Sequence, residues 1–128
     1  MLVVIADKDP IELTALRSAL EAPDCEVLSA TDGAVVIRLA TQHEPHAVVV
    51  SASLGRMGGL AVSRELKTMA EQGQIREPWV VVLLEREADA WLAGWARCDA
   101  WLVKPVDSTD VANLVREKVS PSTTRGSS

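Results

Sequence analysis

Charged and hydroxyl-bearing residues directly follow, or close, the apolar runs of this sequence. Asp7, Lys8 and Asp9 come after the first run, Ser51 closes the third, and Lys104 follows the last. Carboxylates serve as ligands for hard cations and as nucleophiles in phosphoryl transfer. Here they stand among ammonium groups and a neutral hydroxyl. The chemistry available therefore depends on which of these side chains the fold brings together.

Five short apolar runs are predicted to be β-strands. Most are rich in Val, Ile and Leu, and segments such as Val48–Val50 and Val80–Leu83 are apolar on both faces, which is typical of strands covered by helices on either side. The five predicted strands are Leu2–Ala6, Glu26–Ala30, Ala47–Ser51, Trp79–Leu84 and Ala100–Val103.

The stretches between the runs are predicted to be amphipathic helices. The first begins after Asp9, which can cap it, and has Pro10 in its first turn and Glu12 at the capping-box position. The other four are predicted over 33–42, 60–72, 88–96 and 108–119, from the helical spacing of their apolar residues.

The regular alternation of strand and helix predicts an α/β domain built on a (βα)₅ doubly wound parallel sheet. The flavodoxin-like strand order 2-1-3-4-5, a common order among such sheets, is the order expected here. One domain over 1–119 is expected, followed by a Pro/Ser/Thr-rich tail over 120–128 that is predicted to be disordered. In such sheets functional residues lie at the carboxyl ends of the strands. Asp7, Ser51 and Lys104 are thus expected to meet at one edge.

Composition excludes several classes of protein. The formal net charge of −5 argues against direct binding to nucleic acid, which needs Lys and Arg on phosphates. No apolar run is long enough to span a bilayer, and the first residues lack the basic region of a signal peptide, so a cytoplasmic protein is expected. Cys25 and Cys98 precede strands at opposite edges of the predicted sheet, which predicts two free thiols.

Several motifs, in order along residues 1 to about 119, resemble the receiver domains of bacterial response regulators. They are Ala6-Asp7-Lys8-Asp9-Pro10, Ala30-Thr31-Asp32-Gly33, the run from Pro45 to Ser51, Met57-Gly58-Gly59-Leu60 and Trp101-Leu102-Val103-Lys104-Pro105. The resemblance implies an acidic pair after the first strand, a phosphoacceptor aspartate after the third, a Ser or Thr after the fourth, and a lysine before proline after the fifth.

The sequence departs from this pattern at the residues that carry the chemistry. Ser51 stands at the phosphoacceptor position, Lys8 at the second acidic position, and Leu83 at the Ser/Thr position, whereas Asp7 and Lys104 are retained. Phosphorylation of an aspartate needs a carboxylate nucleophile and a cation held by oxygen ligands. We therefore expect a degenerate phosphorylation site with no metal and no cofactor, in which Asp7 and Lys104 form an ion pair.

Four tryptophans stand out in a sequence that has no Phe and no Tyr. Trp79 is expected to fill the core. Trp91 and Trp95 share a face of the fourth predicted helix, and Trp101 occupies the position of the family's switch aromatic on the fifth strand. Since only one face of that helix can cover the sheet, at least one of these three is expected to be exposed. They predict an interaction surface, formed with a second copy or with another protein.

The resulting hypothesis is a non-enzymatic signalling module that binds a protein, either a histidine kinase, a transcription factor or a second copy. Two alternatives stay open. The opening Val3 to Asp9 also resembles that of haloacid-dehalogenase-type phosphatases, with Asp7 and Asp9 as their carboxylates, although no later acidic motif completes a Mg²⁺ site. The module could also respond to phosphorylation of Ser51 or of 122–124 in the tail.

Overall fold

A computed structural model of the chain describes residues 1–119 and shows all five predicted strands. The strands are β1 (Leu2–Ala6), β2 (Glu26–Ala30), β3 (Ala47–Ser51), β4 (Trp79–Leu84) and β5 (Ala100–Val103). The helices are α1 (Pro10–Leu20), α2 (Gly33–His43), α3 (Gly59–Glu71), α4 (Leu92–Ala96) and α5 (Ser108–Val119). The predicted disorder of 120–128 lies outside the described residues.

The strands form one parallel sheet in the order β2-β1-β3-β4-β5, which confirms the predicted flavodoxin-like topology. Alternate side chains enter two separate cores. Val3 and Ile5 pack with α1 and α5 on one face, and Val4 packs with α2 and α3 on the other. Every residue of β3 is buried, as expected for a central strand covered on both faces.

Two close backbone approaches place the beginnings of α2 and α3. A β-carbon on Gly33 would lie 2.2 Å from the carbonyl oxygen of Met57, and one on Gly59 would lie 2.1 Å from that of Ser51. Only glycine permits such contacts. The amino end of α3 thus lies directly against the last residue of β3, where the candidate site begins.

The prediction of a single helix over 88–96 is wrong. A short 3₁₀ turn (Glu87–Asp89) comes first, and α4 covers only Leu92–Ala96. The physical reason is a weak apolar face, because Ala93 and Ala96 are its only buried residues. Trp91 consequently lies just before α4 rather than within it.

Both cysteines are free, as expected. Cys25 precedes β2 and Cys98 precedes β5, at the two opposite edges of the sheet. Burial raises the pKa of both thiols above its usual value. No helix within residues 1–119 is long and apolar enough to cross a membrane.

Candidate functional site

Asp7 is buried where β1 ends. One of its carboxylate oxygens, Oδ1, accepts a hydrogen bond from the Asp9 backbone N–H at 3.0 Å, and the other, Oδ2, accepts one from Lys104 Nζ at 2.9 Å. Asp9 is the amino-terminal cap of α1, as predicted, and its Oδ1 accepts the Ile11 N–H at 2.9 Å. Both carboxylates are therefore engaged by the protein itself.

Lys104 lies at the centre of the site. Besides Asp7, its ammonium group donates to Ser51 Oγ at 3.0 Å and pairs with Glu85 at 3.1 Å, so that its three N–H groups have three acceptors. Burial alone would lower the pKa of Lys104, but the hydrogen bonds and negative charges of Asp7 and Glu85 outweigh burial and raise it. The lysine is thus a cation at neutral pH and cannot take a proton from Ser51.

Ser51 is fully buried at the end of β3. Its Oγ accepts from Lys104 and also from the backbone N–H of Ser53 at 3.1 Å. In the receiver pattern this position holds a carboxylate, which accepts hydrogen bonds in the same way but is also a nucleophile. A neutral hydroxyl beside a protonated lysine has no base to activate it.

The loop after Ser51 is tied to the β2–α2 loop. Gly55 N–H donates to the Thr31 carbonyl at 3.3 Å, and Gly33 N–H donates to the Gly55 carbonyl at 3.4 Å. Arg56 forms an ion pair with Asp32, whose other oxygen caps α2 through the Ala34 N–H. The Arg56 guanidinium lowers the pKa of the Asp32 carboxyl, which keeps this pair charged. These contacts tie the Ser51 loop to its neighbour.

Leu83 and Lys8, the other two predicted members of the site, differ in placement. Leu83 pairs with Ser51 in the β3–β4 register, and its side chain is buried with the core beneath α1 and α5. Lys8 is exposed, and none of the hydrogen bonds and ion pairs within residues 1–119 involves its side chain. The structure therefore brings Asp7, Ser51 and Lys104 into contact, places Leu83 beside them and leaves Lys8 outside.

Glu85 belongs to the strand-end residues where the sequence places function, but no role in the site was predicted for it. A signal was available, because it follows β4 directly, at the edge of the sheet where Asp7, Ser51 and Lys104 meet. Its carboxylate supplies the third acceptor for Lys104. It does not restore a metal site, since the lysine occupies the space between the carboxylates.

The residues present do not fit Mg²⁺. Both oxygens of Asp7 are engaged by Asp9 N–H and Lys104, and Lys8 stands at the other acidic position. Mg²⁺ requires oxygen ligands in near-octahedral geometry. In the described part of the chain, no group of three or more His, Cys, Asp or Glu side chains could hold a metal ion.

Three of the four tryptophans lie on the surface. Trp91, Trp95 and Trp101 have 75%, 48% and 40% of their area exposed, whereas Trp79 is half-buried against the core beneath α1 and α5. Trp101 points to the same face of the sheet as Val103, which packs on the α2–α3 side. We refer to Trp91, Trp95 and Trp101 together as the tryptophan surface.

A second lysine-centred cluster lies at the opposite, amino end of the sheet, and it was not predicted. Lys67 of α3 is buried, and its Nζ donates to Glu77 at 3.0 Å, to the Pro78 carbonyl at 2.9 Å and to Asp99 at 2.6 Å. With Trp79 these residues line a shallow cavity of about 230 Å³. The only signal in the sequence was a lysine directly after Leu66 on the buried side of a helix.

Comparison with known proteins gives a family match over most of the chain. A family described as the response regulator receiver domain matches residues 3–116. The transcriptional regulatory protein PrrA of Mycobacterium tuberculosis is 32% identical over 104 residues, which is 80% of this chain and 43% of PrrA. The transcriptional regulatory protein KdpE of the same organism is 31% identical over 124 residues, 95% of this chain and 52% of KdpE. The chain thus spans about half the length of these relatives.

Solved structures share the fold. The signal receiver domain of a histidine kinase from Syntrophus aciditrophicus superposes with a TM-score of 0.80 at 21% identity, covering 99% of this chain and 95% of that one. The receiver domain of sensor histidine kinase PA1611 from Pseudomonas aeruginosa, which holds a magnesium ion in its active-site cleft, gives 0.77 at 18% identity, covering 92% and 96%.

Proposed function

Because the chain belongs to the family of response regulator receiver domains, we propose that it is a signalling module that binds a protein partner and is not phosphorylated on an aspartate. One observation carries this proposal. Lys104 is held by Asp7, Ser51 and Glu85 in a closed cluster, at the place where the family pattern has a carboxylate nucleophile and a cation.

The closed cluster offers no route for phosphoryl transfer. An acyl phosphate needs a carboxylate nucleophile, and Ser51 supplies a buried hydroxyl that already accepts two hydrogen bonds. Mg²⁺ would have to displace Lys104 from Asp7 before it could neutralise an incoming phosphoryl group. A site without a base beside Ser51 and without a free metal position at Asp7 also argues against catalysis. We therefore propose that the module is not an enzyme.

The hydroxyl that senses the phosphoryl group in the family is also absent at the position of Leu83. Leu83 has no hydroxyl with which to bind a phosphoryl oxygen, and it is fully buried beside Ser51. Trp101, at the position of the family's switch aromatic, is partly exposed on β5. An input other than aspartate phosphorylation is therefore proposed to control the module, or its binding is constitutive.

Intact-mass spectrometry after incubation with acetyl phosphate and Mg²⁺ tests the proposal. We expect no gain of a phosphate on the wild-type chain, with a phosphorylatable receiver domain treated in parallel as the positive control. Ser51→Asp alone is expected to stay unlabelled, because Lys8 still occupies the metal-ligand position. The double variant Lys8→Asp, Ser51→Asp is expected to become partly labelled.

Stoichiometric labelling of the wild-type chain, lost at alkaline pH as acyl phosphates are, would contradict the proposal. Labelling that resists alkali would instead indicate a phosphorylated Ser or Thr. Ser51 is buried beneath its loop, so peptide mapping would then be expected to find such a modification in 122–124, outside the described residues.

The tryptophan surface is the proposed contact with the partner. Trp is enriched in interface hot spots because one side chain buries a large area and its indole N–H still finds an acceptor. Exposure of three indoles on one small domain leaves apolar area that the monomer itself does not bury. The partners proposed are a histidine kinase, a transcription factor or a second copy forming a homodimer, in the cytoplasm and without direct contact to nucleic acid.

Substitution of Trp91, Trp95 and Trp101 by Ala, one at a time, tests the surface. Each change at Trp91 or Trp95 is expected to leave the melting temperature nearly unchanged and to weaken association by about 1–2 kcal/mol. Sedimentation measures self-association, and binding to the purified kinase domain of a neighbouring histidine kinase measures the heteromer. Trp79→Phe is the control, because Trp79 is half-buried and does not belong to the tryptophan surface. If every Ala variant lowers stability but leaves association unchanged, the surface is not the contact.

The phosphatase alternative gains no support from the site. Asp9 is an amino-terminal cap followed by Pro10, and Asp7 is paired with Lys104, so the two carboxylates do not face a shared metal position. Hydrolysis of a generic aryl phosphate in the presence of Mg²⁺, abolished by Asp7→Asn, would reverse this conclusion.

A further inference from the structure

The short helix α4, which carries Trp95, is poorly anchored by its own side chains. It covers five residues and buries only Ala93 and Ala96, whereas Trp95 is about half exposed. A helix of this length is not stable by itself, because the first turn costs more entropy than its hydrogen bonds return. The position of α4 must therefore come from a neighbouring element.

That neighbour is α3, through a stripe of polar side chains. Ser63 Oγ donates to the Ala96 carbonyl at 2.9 Å in a buried contact, and Arg64 Nη1 donates to the Trp95 carbonyl at 2.7 Å. Glu71, two turns beyond Ser63 on the same side of α3, pairs with Arg97 at 3.3 Å. The carbonyls at the end of α4, which have no partner inside the helix, are thereby satisfied by α3.

Arg64 makes a second contact with the same residue. Its guanidinium carbon lies 5.0 Å from the centre of the Trp95 ring. A planar guanidinium can stack on an indole face while an N–H in its plane donates to a carbonyl, and an ammonium group cannot do both in this way. Trp95 is therefore held at its ring and at its backbone by one side chain.

We propose that Arg64 is a positioning residue of the tryptophan surface. Arg64 fixes the indole of Trp95 in one orientation and covers one face of that ring, so that a partner can contact only the other. The inference rests on the proposed role of that surface in binding. An indole that is already immobilised loses less conformational entropy when a partner binds, which favours association. The covered face also limits the partner to the remaining exposed area of the ring.

Trp91 provides an internal comparison. It is the most exposed of the three tryptophans, and the Arg64–Trp95 pair is the only cation–π contact found within residues 1–119. Loss of Arg64 should therefore change Trp95 and leave Trp91 as it was. A general loosening of the fold would change both.

Fluorine NMR of the chain labelled with 5-fluorotryptophan measures each indole separately, once single Trp→Phe changes have assigned the four resonances. In Arg64→Met, which keeps the aliphatic stem, the Trp95 resonance is expected to move toward its position in the unfolded chain and to become more sensitive to solvent. Arg64→Lys is expected to give a smaller change, since it keeps the charge. Arg38→Met, which removes an exposed arginine of α2, is the matched control.

The proposal is overturned if the Trp95 resonance is the same in Arg64→Met as in the wild type, or if Arg38→Met moves it equally. Sedimentation equilibrium of the same variants provides the second readout. If the chain self-associates through the tryptophan surface, Arg64→Met should weaken association about 3- to 10-fold. If Trp95 responds as expected while the wild-type chain stays monomeric, Arg64 positions Trp95 and the homodimer is excluded instead.

Discussion

Two lysine-centred clusters lie at opposite ends of the same sheet, and they differ in what surrounds the lysine. Lys67 is the more buried lysine, with 5% of its side chain exposed against 16% for Lys104. The order is reversed for the more buried carboxylate of each cluster, since Asp7 beside Lys104 is 1% exposed and Asp99 beside Lys67 is 31% exposed. The second carboxylate of each cluster is largely exposed, Glu85 at 46% and Glu77 at 66%.

The comparison indicates that the burial of the carboxylate, rather than of the lysine, determines how much each cluster contributes to the stability of the fold. A buried carboxylate that loses its counter-ion has no access to water, while a half-exposed one is hydrated again. Loss of the counter-ion is therefore more costly for Asp7 than for the carboxylates that pair with Lys67.

The largest effect is expected from removing each lysine in turn. Lys104→Met should lower the free energy of unfolding by about 3–5 kcal/mol, because it leaves Asp7 buried without a counter-ion. Lys67→Met should cost only about 1–2 kcal/mol, because water can replace the lysine at Asp99 and Glu77. Urea unfolding at pH 7 measures both, and Lys8→Met, an exposed control, should stay within about 0.5 kcal/mol of the wild type. An equal or larger loss for Lys67→Met would reverse the comparison.

The next effect concerns two buried serines, Ser51 in the Lys104 cluster and Ser63, whose hydroxyl holds the end of α4. Ser51→Ala leaves one N–H of Lys104 and the N–H of Ser53 without their acceptor, and should cost about 1–3 kcal/mol. Ser63→Ala removes one donor from the Ala96 carbonyl and should cost about 1 kcal/mol. Thermal and urea unfolding of both variants measure the difference. A smaller loss for Ser51→Ala would mean that the Lys104 cluster rearranges around the vacancy.

The smallest effect is the pH dependence, which should separate the two ends of the sheet. At the amino end, His46 Nδ1 accepts the Leu2 N–H at 3.1 Å, and burial, with the charges of Arg76 and the amino terminus, lowers the pKa of His46. The unfolded chain therefore takes up the proton more readily, and the free energy of unfolding should fall as the pH drops below about 6.5. At the carboxyl end the raised pKa of Lys104 has the opposite consequence, a stability lost only at strongly alkaline pH.

Urea unfolding between pH 5 and 8 measures how much His46 contributes to the pH dependence of stability. The wild type is compared with His46→Asn, because the side-chain oxygen of Asn can still accept the Leu2 N–H. The slope of stability with pH should be smaller in His46→Asn. His43→Gln, at the exposed end of α2, should keep the wild-type slope. An unchanged slope in His46→Asn would assign the acid sensitivity to other groups.

The strands and much of the site could be predicted from the sequence, because both depend on local patterns. Apolar runs that alternate with helical stretches specify a parallel sheet, and a parallel sheet brings the carboxyl ends of neighbouring strands to one edge. The contact of Asp7 with Ser51 and Lys104 follows from that rule although Asp7 and Lys104 are 97 positions apart in the chain. The cap at Asp9 is local in the same sense.

Other features were decided by the tertiary structure alone. The length of α4 depends on how many of its side chains find a core to enter. Helical spacing predicted that at least one of Trp91, Trp95 and Trp101 is exposed, but it could not show that all three are. Lys67 and Arg64 each act through residues on a different element, at distances and angles that no local pattern encodes. Residue types and their period determine which elements form and where strand ends meet. A long charged side chain can reach several acceptors. Which of them it pairs with depends on how the elements pack, because packing determines which acceptors are removed from water.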